Sequence, residues 1–207
     1  MMATERELRA KSTRSSILEI AANEILRSGY QSSSIGEIIK KANVSKGCFY
    51  HHFSTKKELG YAVLDDSIEH VKTDVWLPIL NSNNPLKAII NMLSKPEQYL
   101  DCETVKLGCP INNLSHEMSP IDEGFREKIE LMYQQWKIHL SDSLKRCQSN
   151  GDMKKIVSTD DIAALIIAVI QGATGIAKNA QQADSFSEYS HGLVNYLKSL
   201  QTKPTKT

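Results

Sequence analysis

Four side chains that can donate hydrogen bonds lie within seven residues of one another: Lys46, Tyr50, His51 and His52. A helix that only fills a protein core is mostly apolar, so this concentration of donors indicates a segment that contacts a polar partner. Phosphates and base edges are partners of that kind, because both present hydrogen-bond acceptors. The chemistry expected here is recognition through hydrogen bonds and charge, without a bond being formed or broken.

Two short helices are expected to position these donors. Ser45 is placed to cap the second helix, which Phe49 and Phe53 can hold against the rest of the domain. In the first helix, Ser34 and Glu37 form a capping-box pattern ahead of apolar positions at helical spacing. Those positions are Ile35, Ile38, Ile39 and Ala42. Two helices joined by so short a break are typical of a helix-turn-helix, although a helical hairpin with a solvated face has the same spacing.

The segment from 13 to 59 resembles the amino-terminal domain of the TetR family of bacterial repressors. The matching pieces are TRSSILEIAA at 13–22, GY at 29–30, SIGEI at 34–38, ANVSKGCFYHHF at 42–53 and KKEL at 56–59. The helix lengths, glycines and aromatic residues all fall in register. Asn43 stands where that family often has glycine, but asparagine tolerates the left-handed conformation of such a turn.

The resemblance implies that the start of the second helix and the whole third helix meet double-stranded operator DNA. The side chains expected to position phosphate are Ser33, Ser34, Tyr50 and Lys56. The residues expected to face the groove are Ser45, Lys46, Gly47, Cys48 and His51. Among them, Lys46 has the chemistry to pair with guanine acceptors.

The charge distribution agrees with a DNA-facing head on a separate body. The chain has 207 residues and a formal net charge of only +1, which argues against a nonspecific polycation. The first 60 residues carry ten basic and six acidic side chains, whereas the remainder carries 15 and 18. A basic head on a mildly acidic body suits one DNA-binding domain.

Several other classes of function find no motif in the sequence. The four cysteines lack CxxC or zinc spacing, and there is no glycine-rich phosphate loop or HExxH. We therefore expect no metal, no cofactor and no enzymatic activity. A thiol enzyme using Cys109 or Cys147, and a module that binds protein instead of DNA, are the alternatives, which salt-sensitive DNA binding would separate. No apolar run is expected to reach the roughly 18 residues of a membrane span, and no signal-peptide pattern is evident, which predicts a cytoplasmic protein.

Periodicity beyond the head predicts only helices. A helix from 55 towards Trp76, stopped by Pro78, would link head and body, and a long helix would open at Ser119 and end at Gly151. We expect an all-α protein of about nine helices. Residues 1–54 would form the three-helix DNA-binding domain, and residues 55–207 the ligand-binding and dimerisation domain.

The body is expected to bind a small-molecule effector that is not identified by the sequence. Residues that can line a pocket are Trp76, Tyr99, Cys102, Cys109, Met118, Met132, Tyr133 and Trp136. Stripes of this kind also occur as ordinary core, so both interpretations remain open.

Cys109 belongs to the stretch LGCPINNLSHEMS at 107–119, which resembles a TetR subgroup that includes electrophile sensors. Pro110 can be the first residue of a helix, which would place Cys109 at its cap, where the helix dipole favours a thiolate. His116 follows one or two turns later. One alternative is that Cys109 is a reactive sensor thiol and that electrophiles release the repressor from DNA. The other is that Cys109 is an inert buried thiol and that the effector binds reversibly.

The segment 162–176 is apolar on more than one face, which indicates burial on all sides. Pairing with a second copy would provide that burial, and in the family resembled the last two helices form a four-helix dimer interface. The residues assigned to this interface are Ile162, Ile166, Val169, Ile170, Ala173, Leu193 and Leu197. Burial within one subunit is the alternative. Together these features predict a ligand-responsive repressor that binds a palindromic operator as a homodimer.

Overall fold

The computed structural model describes residues 5–98 and 102–202, and these are almost entirely helical. The α-helices are α1 (Glu5–Ser28), α2 (Ile35–Lys41), α3 (Lys46–His52), α4 (Lys56–His70), α5 (Leu77–Leu80), α6 (Pro85–Ser94), α7 (Cys102–Leu107), α8 (Pro110–Met118), α9 (Glu123–Asn150), α10 (Thr159–Ala180) and α11 (Asp184–Leu200). Within these residues, strand-type pairing is limited to one isolated bridge between Met153 and Gln201. The all-α prediction is confirmed.

The head consists of α1, α2 and α3 around a small apolar core. Phe49 and Phe53 are fully buried, as expected for the residues that hold α3 in place. Ser45 caps α3 by accepting a 3.1 Å hydrogen bond from the Cys48 N–H. Asn43 has φ +50°, so the turn before α3 does use the left-handed conformation that asparagine tolerates.

Two helix starts in the head differ from the sequence prediction. Ser34 is the N-cap of α2 by its extended backbone, but its side chain makes no cap hydrogen bond, so the predicted capping box does not form. Thr13 is of a residue type that can cap a helix, and its position at the start of the apolar periodicity predicts a cap there. Helix α1 instead begins at Glu5, and Thr13 lies inside it. The polar residues before Thr13 are good helix formers, and the helix continues through them.

The link between head and body is longer than predicted and contains a change of helix type. Thr55 caps α4 by accepting from the Glu58 N–H at 3.0 Å, and Glu58 accepts in return from Ser54 N–H at 2.8 Å. After His70 the chain forms a π-helix over Val71–Trp76, then α5. Pro78 does not stop this run, because proline at the second position of a new helical turn breaks no hydrogen bond.

The body packs around the long helix α9. Its buried stripe includes Phe125, Ile129, Met132, Trp136 and Leu140, at the helical spacing that the sequence predicted. The side chain of Asp122 caps α9, and Gly151 ends it with φ +82°. Helix α10 lies against α9 and α11, while α11 also packs on α6.

Helix α10 corrects one statement made from the sequence. By length and composition it is the one helix of the described residues that is long and apolar enough to cross a membrane, although only 33% of its most apolar window is buried within the subunit. Helix α10 packs against α7, α9 and α11 of the same subunit. Composition alone therefore does not distinguish this helix, which packs within the fold on one side, from a membrane span.

Candidate DNA-binding face and ligand cavity

The outer face of α3 presents the donors that the sequence singled out. Lys46 and His51 are exposed, Tyr50 is 40% exposed, and Cys48 is half-buried. A Cβ added at Gly47 would meet nothing within 4 Å, so the start of α3 is open to the close approach of another molecule. These residues form one accessible, donor-rich surface, as a recognition helix requires.

Ser33 and Lys56 are used differently from the phosphate-positioning role expected for them. Ser33 is buried, and its hydroxyl donates to the Tyr30 carbonyl at 2.7 Å. The ammonium of Lys56 donates to the carbonyls of Gln31 and Ser33, at 2.9 and 2.7 Å, and lies 5.0 Å from the Tyr30 ring centroid. Burial keeps the Ser33 hydroxyl from solvent, so a phosphate contact by this side chain is disfavoured in this arrangement. Lys56 is committed to the loop between α1 and α2, whereas Ser34 remains exposed.

His52 has a packing role, as its half-buried position suggests. Burial lowers the pKa of its imidazole, with neighbouring His51 and Arg14 acting in the same direction. The guanidinium of Arg14 lies 4.8 Å from the ring centroid of Phe53, which ties α1 to the end of α3.

A cavity of about 650 Å³ lies between the head and the body. Its lining comes from one face of α1, and from the face of α4 and the π-helix that carries Asp66, His70 and Asp74. Helices α6, α7, α8, α9, α10 and α11 supply the rest. The π-helix places Val75 and Trp76 on this lining. Single π-turns occur often at functional sites, because they re-aim side chains without ending a helix.

Three of the residues predicted to contact a ligand line this cavity, namely Trp76, Cys109 and Trp136. Met118 and Met132 do not; they are buried core residues, which is the alternative interpretation for such stripes. Tyr133 is also outside the lining, although its ring meets that of Trp136 edge-on at 6.0 Å. Tyr99 lies outside the described residues, and nothing is described of the side chain of Cys102.

The environment of Cys109 opposes the expected thiolate. Cys109 is the N-cap of α8, and Pro110 is its first residue, as predicted. Burial nevertheless raises the pKa of the thiol, and the nearby N–H groups of Ile111 and Asn112 only reduce that increase. Burial also raises the pKa of Tyr133 to about 12, with Cys109 nearby adding to the increase. His116 is exposed at the other end of α8, so it does not provide a base for Cys109.

The sequence did not reveal that α1 belongs to the cavity wall. Ser15, Leu18, Glu19, Ala22, Asn23 and Leu26 contribute to the lining. These residues follow each other at helical spacing, so the sequence shows that they share a face but not that this face meets the body. Gln171, half-buried on α10, was also missed because it stands alone in an apolar run.

Helix α8 connects the cavity to the head directly. Cys109 and Pro110 at its start line the cavity, and Glu117 near its end accepts hydrogen bonds from the backbone N–H groups of Tyr30 and Gln31, both at 2.8 Å. A separate contact joins the start of α9 to α4. There Asp122 pairs with Lys57 at 2.8 Å and accepts a hydrogen bond from the Tyr61 hydroxyl at 2.7 Å. These hydrogen bonds hold the pKa of Asp122 down at about 2.

Comparisons with known proteins agree with this arrangement of head and body. Residues 17–63 match the family described as bacterial regulatory proteins, tetR family, and residues 85–191 match the C-terminal domain described as transcriptional regulator LmrA/YxaF-like. The second match alone covers half of the chain. The chain belongs to the TetR family of transcriptional regulators.

Relatives and solved structures of TetR regulators extend over most of the chain. The HTH-type transcriptional repressor DhaR of Mycobacterium sp. strain GP1 is 27% identical over 177 residues, which are 84% of this chain and 87% of DhaR. The HTH-type transcriptional repressor NemR of Escherichia coli K12 is 29% identical over 131 residues, 59% of this chain and 66% of NemR. The solved structure of a TetR regulator from Chloroflexus aurantiacus, whose sequence is 25% identical, superposes with a TM-score of 0.83 over 93% of this chain and 98% of that one.

The side chains assigned to the dimer interface of this TetR regulator mostly face the interior of the subunit, which is the alternative that the sequence left open. Five of the seven are buried inside the subunit: Ile162, Ile166, Ala173, Leu193 and Leu197. Val169 and Ile170 are half-buried, and Ile170 lines the cavity. Nearly every residue of the segment 162–176 is apolar or small, so apolar periodicity could not indicate which face of α10 points outward.

The outward faces of α10 and α11 carry a different set of apolar and small residues. Leu165 is 40% exposed, and Ala164, Ala168 and Gly172 extend the same face of α10. On α11 the exposed residues at helical spacing are Tyr189, Gly192 and Tyr196. Among the described residues, no group of three or more His, Cys, Asp or Glu side chains has the geometry to hold a metal ion.

Proposed function

We propose that this TetR regulator is a ligand-responsive repressor that binds a palindromic operator as a homodimer and is released when its cavity is occupied. The observation that carries the proposal is the cavity itself. Its wall includes α1 of the head together with helices of the body, so a bound molecule contacts both units. The site of action would be the cytoplasm, where the operator DNA is.

The exposed donors of α3 support the DNA-binding half of this proposal. Lys46 and His51 would face base edges, while Tyr50 and Ser34 would contact phosphate on either side. Gly47 would allow the helix backbone to approach the groove, since nothing in the subunit covers it. A dimer carrying two such heads reads two half-sites one helical turn or a little more apart.

The outward faces of α10 and α11 support the dimer. TetR regulators act as dimers, and we assign the interface to Ala164, Leu165, Ala168, Tyr189 and Tyr196. The glycines at 172 and 192 have open space beyond them, which allows the helices of a second copy to approach closely. Apolar faces of two helices in each subunit then form a four-helix contact.

Reversible binding in the cavity is favoured over thiol chemistry as the signal. The thiolate is the nucleophilic form of cysteine, and burial raises the pKa of Cys109, so little of it is ionised near neutral pH. The resemblance of the stretch 107–119 to a TetR subgroup that includes electrophile sensors, together with the position of Cys109 in the cavity wall, makes an electrophile sensor the second candidate. If that candidate is correct, Cys109→Ser still represses but no longer responds to an electrophile.

Footprinting on the DNA upstream of the protein's own gene tests the proposal. We expect protection of two inverted half-sites, with affinity that falls steeply as salt rises, because phosphate contacts release counterions. Protection of a single asymmetric half-site would contradict the dimeric reading mode. Binding that is insensitive to salt would contradict the DNA-binding role of α3.

A further inference from the structure

The charged side chains that line the cavity are of one sign. Glu19 of α1, and Asp66 and Asp74 of α4 and the π-helix, contribute carboxylates, whereas no lysine or arginine among the described residues does. The basic group that the lining does contain, His70, has its Nδ1 held 2.8 Å from Asp74. These charged groups are exposed at the rim of the cavity. A negatively charged ligand would therefore meet screened repulsion that only His70 could offset, whereas a positively charged ligand would be attracted.

The buried part of the lining is aromatic and apolar. The indole rings of Trp76 and Trp136 lie 5.6 Å apart between centroids, at an interplanar angle of 51°, and both side chains are buried in the cavity wall. Phe186 and Met92 complete this region. Indole faces attract cations as well as apolar groups, so this wall accepts an apolar body that carries positive charge.

One buried acceptor in the cavity wall has no partner. Among the described residues, Oε1 of Gln171 is a buried side-chain oxygen without a hydrogen bond. The backbone of the same residue is held in place, because its carbonyl accepts from the Asn112 side-chain amide at 3.2 Å. An unpaired buried acceptor is unfavourable. Oε1 is shielded from solvent in the observed rotamer, so a ligand that donates a hydrogen bond would satisfy it once the Gln171 side chain turns towards the cavity.

We infer that the cavity selects an apolar organic cation with at least one N–H group, that is, a protonated amine on an aliphatic or aromatic body. The carboxylates select its charge, the two indoles its apolar body, and Gln171 its hydrogen-bond donor. This inference rests on the proposed function in treating the cavity as the effector site. A volume of about 650 Å³ holds a compound of drug-like size.

Three probes that share one body and differ in charge test the inference. Adamantan-1-ylmethylammonium, adamantan-1-ylmethanol and adamantane-1-carboxylate are cationic, neutral and anionic at neutral pH. The chain has two tryptophans and both line the cavity, so intrinsic fluorescence reports occupancy without DNA. We expect the ammonium to bind roughly tenfold more tightly than the carboxylate, as several screened charge contacts of this kind provide. The alcohol should fall between them.

Two sets of variants separate the contributions. Glu19→Gln combined with Asp66→Asn should weaken the ammonium several-fold and leave the alcohol unchanged, whereas Glu188→Gln, at an exposed site of α11 outside the lining, should change neither. Gln171→Met should weaken both donors, the ammonium and the alcohol, by roughly three- to tenfold. Because it removes an unpaired acceptor, the same variant should leave the melting temperature of the free protein unchanged or raise it. A purely structural role for Gln171 would lower it.

The inference is overturned if the carboxylate binds as tightly as the ammonium, if the double variant leaves ammonium binding unchanged, or if none of the probes alters the fluorescence at millimolar concentration. If no probe alters the fluorescence but operator binding is still salt-sensitive, the proposed ligand class is wrong while the proposed DNA-binding function still stands. Loss of operator binding in the wild-type protein would instead contradict the proposed function.

Discussion

The carboxylate of Glu117 and the backbone N–H of Tyr30 are joined by a 2.8 Å hydrogen bond across 87 positions of the chain. Glu117 belongs to α8, which starts at the cavity, and Tyr30 belongs to the loop between α1 and α2 of the head. The other oxygen of Glu117 accepts from Gln31 N–H in the same way. This one side chain therefore ties the first turn of the head to the body.

Removing that tie should loosen the head. Glu117→Ala leaves two N–H groups without their charged acceptor, and hydrogen bonds to charged groups contribute about 1.5–3 kcal/mol in favourable cases. We expect the free energy of unfolding, measured with urea, to fall by about 1–3 kcal/mol. Glu127→Ala, at an exposed position of α9, is the matched control. An unchanged unfolding free energy for Glu117→Ala would show that the contact does not stabilise the protein.

Lys46 and Tyr50 should affect DNA binding in different ways. Lys46→Ala should relax preference at particular base pairs, by about 1–3 kcal/mol if Lys46 makes a bidentate contact with guanine. Tyr50→Phe removes a hydroxyl expected on phosphate, so it should weaken all sites about equally. Selection from random duplexes with each protein measures both effects. Identical base preferences in the two variants and the parent would remove Lys46 from the set of reading residues.

Neighbouring positions on α10 should separate folding from dimerisation. Ile166 is fully buried inside the subunit, so Ile166→Glu should unfold it, whereas Leu165 is 40% exposed on the outward face. Leu165→Glu should therefore give a folded monomer, measured by sedimentation and circular dichroism. A folded Leu165→Glu dimer of unchanged affinity would place the interface elsewhere. Leu165→Gln, which adds no charge, should weaken the dimer less.

The raised pKa of Cys109 predicts slow alkylation that accelerates in alkali. The thiolate is the reacting species, and a raised pKa lowers its fraction at pH 7 and delays its formation to more alkaline pH. Cys48 and Cys109 are both half-buried by accessible surface, so exposure alone does not set their order. Site-resolved mass spectrometry with iodoacetamide should show Cys48 modified before Cys109 at pH 7, because Cys109 has the raised pKa. Faster modification of Cys109 than of Cys48 at that pH would instead support the electrophile-sensor alternative.

Local patterns predicted the helices and their caps well, because capping and periodicity are properties of neighbouring residues. Ser45 and Gly151 act as the sequence indicated. Ser34 makes no side-chain cap, and the long helix begins at Glu123 instead of Ser119, because Asp122 caps it.

The outward face of α10 was not predictable, since the helix itself carries apolar or small residues on every face. Nor was the approach of α1 to the body, which depends on contacts between residues far apart in sequence. Large apolar and thiol side chains suit a core and a cavity wall equally well. The sequence therefore could not tell that Trp76, Cys109 and Trp136 line the cavity while Met118 and Met132 are core residues.

Release by a ligand requires that filling the cavity moves the head away from its DNA-binding arrangement. Ala22 of α1 and Thr174 of α10 both line the cavity, so Ala22→Phe and Thr174→Phe imitate an occupant without requiring the ligand to be known. Ser16→Phe adds the same side chain at an exposed position of α1 outside the lining. The decisive measurement is the operator affinity of these three dimers at fixed salt. We expect the two cavity variants, still folded and dimeric, to lose affinity by roughly 5- to 150-fold, the usual range of allosteric coupling, with Ser16→Phe like the parent. Parental affinity in folded dimers of both cavity variants would contradict the account.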